Sequence, residues 1–337
     1  MIKAGLVGCG SLGRFHTEAL AEIDGARMAA FCDINEDAAR GLCERSGGEY
    51  FTTDFDRLLA DDSLQAIYVC TRHDSHAELC VRAAEAGKHV MVEKPLALTI
   101  ADCQAVGEAV ERTGVKLMPA FKMRYYELIG RAHEIVPEPL MVTMQMMDNR
   151  WSDGMWANDP IAGGGNVVSQ GCHSCDIMRY LAGSDPIEVF AVGGNYYQAT
   201  GVADNVCATF RFEGNVAGSL VQGDASCPPF TSKFFLQLFA EGVSVTLHNR
   251  ICTMTVAERG KEPVVLVGTE TGLLEENRAF LQAIVDDAPP PISARDGLLA
   301  TLMPLQAIAS AEAARPMPIS SLLDRSTNDE VTRHAAR

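Results

Sequence analysis

The sequence predicts an α/β protein, with a doubly wound parallel sheet in the N-terminal domain and a large, mostly antiparallel open sheet in a C-terminal α/β domain. Up to residue 121, short β-rich apolar runs alternate with segments of helical periodicity, as in parallel sheets that are covered on both faces. After Phe121 the apolar runs follow one another with only glycine-containing turns between them, which is typical of antiparallel sheets.

The N-terminal part contains five such runs, and two of its helices have recognisable ends. Ser75 precedes one helix that continues to residue 86, before Gly87. Thr99 and Asp102 form a capping box at the start of another helix, which ends before Gly114. The predicted strands are residues 2–7, 27–32, 66–71, 89–93 and 116–121.

The C-terminal part is predicted to contain several strands and then two helices. The second helix begins with a capping box of Ser293 and Asp296, and three prolines at 289–291 form a stiff spacer before it. We expect domains at 1–121 and 122–337, with a frayed tail from about residue 325. The predicted strands are 206–212, 217–222, 234–239 and 243–247, and the predicted helices are 275–287 and 294–314.

The bulk composition excludes two classes of partner. The chain has 337 residues, which favours two domains, and 47% of them are hydrophobic and 21% charged, as in globular proteins. The formal net charge of −16 would repel nucleic acid and anionic lipid from most of the surface. We therefore expect neither a nucleic-acid partner nor a membrane partner.

The cysteines and apolar runs predict a cytoplasmic protein. Eleven cysteines are scattered through the chain rather than spaced like a disulfide scaffold, which is typical of a reducing compartment. Residues 6–9 resemble a lipoprotein cleavage site, but the apolar segment before them is too short for a signal peptide. No apolar run has the length needed to span a bilayer.

The segment GCGSLG at residues 8–13 directly follows the first predicted strand and opens a helix, which is the context of a dinucleotide-binding GxGxxG motif. Gly8 and Gly10 would let the backbone turn tightly and approach a pyrophosphate, and Gly13 would allow the helix to pack closely on the strand. Ser11 and Leu12 would provide backbone N–H groups at the helix N-terminus. The alternative is an ordinary glycine turn.

Asp33 ends the second predicted strand, 20 residues after Gly13. A carboxylate at this position accepts hydrogen bonds from the ribose hydroxyls of the adenosine and repels a 2'-phosphate. The sequence therefore favours NAD over NADP, although Asp33 could also be a surface turn residue.

Three segments carry a resemblance to a known family: GCGSLGRFH at 8–16, TRHDSHAELCVRAAEAGKHVMVEKPLALT at 71–99, and GGGNVVSQGCHSCD at 163–176. The chain resembles the glucose-fructose oxidoreductase, inositol dehydrogenase and MocA family over nearly its whole length, to about residue 321. Its most specific signatures are Glu93-Lys94-Pro95 and the glycine-rich run that leads to a histidine and an aspartate.

The resemblance implies a Rossmann domain followed by an α/β domain whose open sheet is usually an oligomerisation face, so we expect a homodimer or a homotetramer. It also implies that Lys94 and His173 are catalytic and that Thr71, His76 and Glu93 line the cofactor cleft. The residues expected to bind the cofactor are Gly8, Gly10, Ser11, Leu12, Gly13, Asp33, Thr71, Arg72, His76, Glu93, Lys94 and Pro95.

Lys94 lies at the carboxyl end of a central predicted strand, where ligands bind in open α/β sheets, and Pro95 restricts its backbone. An ammonium group there can hydrogen-bond a substrate hydroxyl and offset developing alkoxide charge, or act as a base if its pKa is lowered. Without the resemblance, a solvated lysine at a strand end would be the simpler interpretation.

His173 is predicted to lie on a helix over residues 169–181, with Ser169 one turn before it and Asp176 one turn after it. Most dehydrogenases of the family have aspartate where this chain has Ser169. A serine hydroxyl orients an imidazole but brings no charge, so we expect His173 mainly to orient the substrate hydroxyl while Lys94 transfers the proton. Gln170 is expected to contact substrate hydroxyls. A buried structural histidine is the alternative.

Cys172 and Cys175 form a CxxC pair around His173. A structural zinc site needs four ligands, and the sequence contains no second CxxC or HxxxH pair. We therefore interpret both cysteines as small apolar residues that pack around His173. The glycines at 163–165 would let the chain pass close to a ligand, or would form a flexible turn.

Two further candidates for substrate binding come from the resemblance. Arg124 follows the last predicted N-terminal strand, and its guanidinium suits a polyhydroxylated or acidic substrate. Trp156 matches a family position near the nicotinamide, but Ala157 stands where an arginine often follows. Trp156 and Trp151 are also candidates for core or loop packing.

Together these features predict an NAD-dependent dehydrogenase that acts on a secondary hydroxyl of a sugar, a glycoside or a cyclitol. One alternative is a redox-neutral glycoside-processing enzyme that oxidises and re-reduces its substrate. Another is a non-catalytic regulator that responds to NAD or a sugar on the same fold, but such a protein need not retain Lys94 and His173.

Overall fold

The computed structural model describes residues 1–227 and 232–323, which divide into two compact units. Unit 1 comprises residues 1–125, 161–163 and 271–301, and unit 2 comprises residues 126–160, 164–270 and the chain from 302 onward. The division into contiguous domains at 1–121 and 122–337 thus differs from the compact units, because residues 271–301 return to unit 1. The tail predicted from about residue 325 lies outside the described residues.

Unit 1 contains a six-stranded parallel sheet in the order β3-β2-β1-β4-β5-β6, with helices in the connections between its strands, which confirms the predicted α/β fold class. The short β3 was missing from the predicted set. In chain order the elements are β1 (Ile2–Val7), α1 (Ser11–Ala21), β2 (Ala26–Cys32), α2 (Glu36–Ser46), β3 (Tyr50–Thr52), α3 (Phe55–Leu59), β4 (Ala66–Val69), α4 (His76–Glu85), β5 (His89–Val92), α5 (Ile100–Thr113) and β6 (Leu117–Pro119).

The helix ends of unit 1 follow the local sequence. The predicted capping box of α5 is confirmed, because the Thr99 hydroxyl accepts a hydrogen bond from the Asp102 backbone N–H at 3.1 Å. Gly114 then ends α5 in the left-handed conformation. The strands β1, β4 and β5 are almost entirely buried, as expected for a sheet that is covered on both faces.

Unit 2 contains a nine-stranded sheet in the order β14-β13-β12-β11-β7-β10-β9-β8-β15, in which only the pair β7 and β10 is parallel among the described strands. This confirms the predicted mostly antiparallel sheet. The elements are α6 (Glu127–Ile135), β7 (Met141–Asn149), α7 (Gly165–Ser169), α8 (Gly171–Ala182), β8 (Pro186–Gly194), β9 (Asn205–Phe212), β10 (Ala217–Ser226), β11 (Phe234–Ala240), β12 (Val243–His248), β13 (Thr253–Glu258) and β14 (Val264–Val267).

The chain ends with two long helices and a short strand. The helix α9 (Leu273–Val285) lies in unit 1, and the division between the units falls within α10 (Ala294–Ala313). The capping box of α10 is also confirmed, because the Ser293 hydroxyl accepts a hydrogen bond from the Asp296 backbone N–H at 3.2 Å. The strand β15 (Met317–Pro318) pairs with β8.

One face of the nine-stranded sheet forms the core of unit 2, where α8 packs on β7 and β10. Along β9, buried and exposed side chains alternate strictly, as in a sheet with one covered face. Among the helices of residues 1–227 and 232–323, none combines the length and the apolar composition that crossing a bilayer requires.

Candidate functional site

The glycine-rich loop after β1 is tightly packed at two of its three glycines. Gly8 has a φ of +96°, and a Cβ atom at this position would lie 2.4 Å from the carbonyl oxygen of Cys70. A Cβ atom on Gly13 would lie 2.1 Å from the carbonyl oxygen of Gly8. Only glycine therefore allows the loop to pass β4 and allows α1 to pack against the loop.

The remaining glycine of the loop, Gly10, faces open space. A Cβ atom on Gly10 would have no neighbouring atom within 4 Å, and the N-terminus of α1 has no side-chain cap. Backbone N–H groups at an uncapped helix N-terminus form a favourable environment for a phosphate. This loop therefore fits the pyrophosphate of a dinucleotide, with Gly10, Ser11 and Leu12 as the residues that would hold it.

Asp33 is tied to the same loop. One of its carboxylate oxygens, Oδ2, accepts a hydrogen bond from the Cys9 backbone N–H at 2.7 Å, and Oδ1 accepts one from the Asn35 N–H at 2.8 Å. The carboxylate is thus oriented beside the glycine loop, with further lone pairs that suit ribose hydroxyls. The next residue is Ile34, which is 98% exposed, so the position after Asp33 offers no cation to a 2'-phosphate.

His76 links the loops after β4 and β5. Its side chain is fully buried, with Nδ1 2.8 Å from the carbonyl oxygen of Pro95 and Nε2 3.2 Å from that of Thr71. Burial lowers the pKa of His76, although both carbonyl oxygens favour the protonated ring. The neutral ring donates to one carbonyl, and the shorter distance favours Pro95. His76 therefore holds the backbone next to Lys94 rather than facing solvent.

Thr71 and Arg72 lie in the loop after β4. The Thr71 hydroxyl is 2.7 Å from that of Ser75, which shapes the start of α4. Arg72 is largely exposed and pairs with Asp74 at 3.0 Å. Both residues are near the carboxyl edge of the parallel sheet, where the sequence predicted cofactor contacts, and their contact with a cofactor stays a prediction.

Glu93, Lys94 and Pro95 directly follow β5, and the peptide bond between Lys94 and Pro95 is cis. Glu93 and Lys94 are both buried. Burial opposes ionisation of Glu93, but a hydrogen bond from His16, the charge of Lys94 and the Lys94 backbone N–H outweigh it, so the pKa of Glu93 is below its usual value.

A second buried carboxyl group, that of Glu276 on α9, has a raised pKa, in contrast to Glu93. Glu276 is fully buried, and neither carboxyl oxygen has a hydrogen-bond partner. Burial raises the pKa of Glu276 well above its usual value, and the negative charge of Glu93 adds to this effect while Lys122 opposes it. Burial therefore favours the neutral, protonated form of the Glu276 carboxyl group. The sequence analysis missed it because a glutamate on a helix looks like a surface residue.

Arg124 forms an ion pair within unit 1. Its guanidinium lies 3.2 Å from the carboxylate of Asp296, with 10% and 14% of the two side chains exposed. Asp296 also belongs to the capping box of α10, so the pair ties the segment after β6 to the start of α10. This gives Arg124 a structural partner, while its predicted contact with substrate stays a prediction.

In unit 2, the predicted helix over residues 169–181 is wrong in one respect, because it consists of two helices. α7 ends at Ser169, Gln170 separates them, and α8 begins at Gly171. At the start of α7, two adjacent glycines, at 164 and 165, have positive φ, and the tight turn that they form lets the helix begin abruptly. His173 lies in the first turn of α8, as its backbone N–H donates to the Gln170 carbonyl at 3.0 Å.

The helix that carries His173 is anchored to the sheet by Gln222 on β10, which sequence reasoning missed. Gln222 is fully buried and accepts a hydrogen bond from the Ser174 hydroxyl at 2.8 Å. Its amide nitrogen donates to Asn166 on α7 at 2.8 Å. One amide side chain therefore fixes both helices, and with them Ser169, His173 and the buried Asp176.

The two tryptophans differ in their surroundings. Trp151 is buried, and its backbone N–H donates to Asp224 at 3.0 Å. Trp156 is 40% exposed, which leaves its ring accessible for a ligand contact. The substrate-binding role of Trp156 stays a prediction, whereas Trp151 serves loop packing.

Cys172 and Cys175 are fully buried, and the Cys172 thiol lies 3.2 Å from the Ser169 carbonyl oxygen. Burial, followed by the neighbouring Cys172 and Asp176, raises the pKa of Cys175 well above its usual value. A thiol with so high a pKa is neither a reactive thiolate nor a ready metal ligand. Both cysteines are buried, and their predicted packing around His173 stays a prediction.

Comparison with known proteins finds separate matches for the N-terminal and the C-terminal parts of the chain. Residues 2–121 match the profile of an oxidoreductase family with an NAD-binding Rossmann fold, the GFO/IDH/MocA family. Residues 136–237 match the C-terminal domain of that family. The chain belongs to the Gfo/Idh/MocA family. It is an oxidoreductase, as the resemblance implied, and NAD is the cofactor named for the fold of its N-terminal domain.

Individual relatives of this Gfo/Idh/MocA protein are also named as dehydrogenases. It is 28% identical to a myo-inositol 2-dehydrogenase of Thermotoga maritima, over 96% of this chain and 100% of that protein. It is 34% identical to a D-xylose 1-dehydrogenase (NADP(+)) of Haloferax volcanii, but over only 48% of this chain and 51% of the relative. A levoglucosan dehydrogenase solved with NADH and levoglucosan has the same fold, with a TM-score of 0.87 and 21% identity over 94% of this chain and 99% of that one.

The structure thus places the predicted residues in two groups. Those predicted to bind the cofactor lie together in unit 1, at the carboxyl edge of its sheet, together with Lys94 and Arg124. Trp156, Ser169, Gln170, His173 and Asp176 lie in unit 2. That the two groups meet at one substrate stays a prediction.

The glycine loop generates a paired prediction. Gly10→Ala should leave the free energy of unfolding within about 1 kcal/mol of the wild type, because the added methyl group meets open space. It should weaken NAD binding roughly tenfold or more, because the methyl group occupies the space that the pyrophosphate needs. Gly13→Ala should instead lower the free energy of unfolding by about 1–3 kcal/mol without cofactor.

Urea unfolding without NAD and fluorescence titration with NAD would measure the two effects separately. Unchanged NAD affinity in Gly10→Ala would contradict the assignment of this loop to the pyrophosphate.

Glu276 generates a pH-dependent prediction. A carboxyl group whose pKa is raised by folding stabilises the protein at low pH, and this stabilisation is lost as the pH rises from the ordinary glutamate pKa towards the folded value. Glu276→Gln removes the titration, so its stability relative to the wild type should increase as the pH rises above the ordinary glutamate pKa, by up to about 1.4 kcal/mol per pH unit.

Urea unfolding at several pH values would measure this slope. Glu275→Gln, at an exposed position on the same helix, is the matched control and should show no such slope. A constant difference between Glu276→Gln and the wild type across the pH range would mean that folding does not raise the pKa of Glu276.

Proposed function

We propose that this protein is a dehydrogenase that oxidises a secondary hydroxyl group of a sugar, a glycoside or a cyclitol with NAD. The observation that supports this most strongly is the buried Glu93-Lys94-Pro95 segment after β5, in the same unit as the glycine loop after β1 and Asp33 after β2. The carboxyl ends of parallel strands meet at one edge of a sheet, so an amine and a dinucleotide site share that edge. The named activity of the myo-inositol 2-dehydrogenase relative supports the substrate class.

Oxidation of an alcohol needs a hydride acceptor and a group that takes the hydroxyl proton. When bound, NAD supplies the hydride acceptor. Lys94, in its amine form, hydrogen-bonds the substrate hydroxyl and accepts its proton as the hydride leaves, and the ammonium formed in this way offsets the negative charge that develops on the substrate oxygen. Its side chain is buried beside the carboxylate of Glu93, so the electrostatic interactions of the ammonium are stronger than they would be in water.

His173 is proposed to orient the substrate hydroxyl. Family dehydrogenases usually have an aspartate where this chain has Ser169, and a serine hydroxyl does not raise the basicity of an imidazole as a carboxylate does. Proton transfer therefore depends more on Lys94. The residues proposed to contact the substrate are Arg124, Trp156, Ser169, Gln170 and Asp176. The fixed position of α8 on Gln222 supports a rigid contribution from this helix.

NAD is proposed as the working cofactor rather than NADP. The residues proposed to hold it are those predicted from the sequence, and Asp33 decides the preference. Its carboxylate is fixed beside the loop by the Cys9 N–H, and the exposed residue that follows it is Ile34 rather than arginine. A carboxylate without a neighbouring cation repels a 2'-phosphate.

The activity can be tested by screening cyclitols, pyranosides, polyols and nucleotide sugars with NAD and with NADP and recording the absorbance of the reduced cofactor. Lys94→Ala should lower kcat by about 10²–10⁴-fold, because the proton acceptor is lost. Its affinity for NAD should change far less, since the glycine loop and Asp33 are untouched. Lys261→Ala, at an exposed position, is the control.

Net formation of NADH from a carbohydrate substrate supports the proposal. Conversion of a glycoside without net NADH would identify the redox-neutral alternative, and tight binding of NAD or sugar without any turnover would identify a regulator. Either of these outcomes would contradict the dehydrogenase proposal.

We also propose that the protein self-associates through the open face of the nine-stranded sheet, as a homodimer or a homotetramer. Val192 on β8, Cys207 on β9 and Val221 on β10 are exposed and lie opposite one another across neighbouring strands. Phe190, two residues before Val192, is 43% exposed on the same strand. Together these residues form an exposed apolar row, which is typical of a protein–protein interface.

Sedimentation velocity would test this association. Val192→Glu should reduce the assembly towards the monomer, because it places a charge in the middle of the apolar row. Val285→Glu, on α9 in unit 1, is an exposed control that should not change the mass. A wild-type protein that sediments as a monomer at micromolar concentration would contradict the proposal.

A cytoplasmic location is part of the same proposal. All eleven cysteines are free thiols, and burial raises the pKa of several of them, including Cys9 to about 12 and Cys32 to about 11. Free thiols in this number are typical of proteins in a reducing compartment.

A further inference from the structure

One buried histidine of unit 1 has no role in the proposed reaction. His16 lies on α1, close after the glycine loop, and its side chain is fully buried. A buried imidazole must have hydrogen-bond partners for both ring nitrogens, or folding bears the cost of an unsatisfied group. The partners of His16 come from two elements that are distant in sequence.

Nε2 of His16 lies 3.2 Å from Oε1 of Glu93, and Nδ1 lies 3.0 Å from the amide nitrogen of Asn277 on α9. A charged carboxylate can only accept, so Nε2 carries the proton and donates to Glu93. Nδ1 also lies 3.2 Å from the amide oxygen of Asn277, but the amide nitrogen is closer, so in the neutral ring Nδ1 accepts a hydrogen bond from the Asn277 amide. The same amide nitrogen also donates to the Leu273 carbonyl at 2.7 Å, which fixes the orientation of the Asn277 side chain.

The second oxygen of Glu93 connects this arrangement to Lys94. Oε2 of Glu93 accepts a hydrogen bond from the Lys94 backbone N–H at 3.1 Å. The carboxylate is therefore held at both oxygens, on one side by His16 and on the other by the backbone of the proposed catalytic lysine. Loss of either hydrogen bond would free the carboxylate to rotate and would release the Lys94 backbone.

We propose that His16, held as its Nε2–H tautomer by Asn277, is a positioning residue for Lys94 that acts through Glu93. This inference rests on the proposed dehydrogenase function. His16 does not touch the substrate in this proposal. It keeps the Glu93 carboxylate charged and oriented, and Glu93 in turn fixes the backbone and the electrostatic environment of Lys94.

The electrostatic consequence depends on every charged or titratable group around Glu93. His16 on α1 and the adjacent Lys94 favour the charged form of Glu93. Burial raises the pKa of Cys70 after β4, and the charge of Glu93 raises it further. Burial lowers the pKa of His76 on α4, and the charge of Glu93 opposes this effect. Glu276 on α9 also faces Glu93 and is itself close enough to be influenced by Lys122. His16 donates a side-chain hydrogen bond to this carboxylate.

Removal of this donor leaves the burial of Glu93 uncompensated on one side, so the pKa of Glu93 should rise. The acidic limb of the kcat profile should then move to higher pH, because Glu93 loses its charge earlier as the pH falls. A role of His16 in core packing alone would change stability but not this limb.

Two variants separate a positioning role of His16 from a role in core packing alone. His16→Leu removes the donor while keeping the volume roughly constant, and His16→Gln keeps an N–H group in reach of Glu93. We expect His16→Leu to lower kcat by about 10–100-fold, since a small misplacement of a catalytic group has an effect of this size. NAD affinity should change little, and His16→Gln should recover most of the lost activity and return the acidic limb towards its wild-type position.

Asn277→Leu tests the tautomer without touching Glu93. In protein with ¹⁵N-labelled histidine, long-range proton–nitrogen correlation of the wild type without cofactor should show His16 as a neutral ring with the proton on Nε2. The His16→Gln spectrum identifies the signal. In Asn277→Leu the Nδ1 acceptor has no donor, so the fraction of the Nε2–H tautomer should fall.

An Nδ1–H tautomer in the wild type, or a ring that stays charged at every pH, would overturn the inference whatever the enzyme does. So would His16→Leu with lower stability but unchanged kcat and pH profile, or His16→Gln without recovery. If the wild type turns over no carbohydrate, the proposed function fails, while the tautomer measurement still reports on the hydrogen bonds of His16. The two failures are therefore distinguishable.

Discussion

The carboxylate of Glu93 imposes the strongest constraint on unit 1, because a buried charge must be compensated by hydrogen bonds or opposite charges. It is nearly inaccessible to solvent, and donors at 3.2 Å and 3.1 Å satisfy its two oxygens. One donor, His16, comes from the helix that follows the glycine loop, and the other is the backbone of Lys94. The geometry of the dinucleotide loop and that of the proposed catalytic lysine are therefore not independent, since both depend on where this carboxylate lies.

The helix α9 takes part in the same constraint. Asn277 holds His16, and the neighbouring Glu276 lies close enough to Glu93 for the charge of one carboxyl group to oppose ionisation of the other. The carboxyl group that has hydrogen-bond donors, Glu93, has a lowered pKa, and the one without them, Glu276, has a raised pKa. The hydrogen bond from Asn277 to His16 is one contact by which α9 belongs to unit 1, although it follows most of unit 2 in the chain.

In unit 2, neutral amide side chains hold the elements around the proposed substrate-binding residues in place. Gln222 on β10 holds α7 and α8 in place through Asn166 and Ser174, and both of these hydrogen bonds join neutral groups. An amide can donate and accept at once, so one side chain satisfies partners on both helices. The helix that carries His173 is therefore fixed to the sheet, which is the support that a site residue needs to keep its orientation.

Local sequence by itself determined the alternation of strands and helices, the capping boxes at Thr99 and Ser293, the glycine loop and the position of Lys94 after a strand, because each of these depends on neighbours within a few residues. It could not separate α7 from α8 at Gln170, since helical periodicity continues across the break. Only the tertiary structure decided that His16, Glu93 and Asn277 form one hydrogen-bonded group. These residues come from three distant parts of the chain, and whether a histidine or an asparagine is buried and paired is set by packing, which leaves no periodic signal in the sequence.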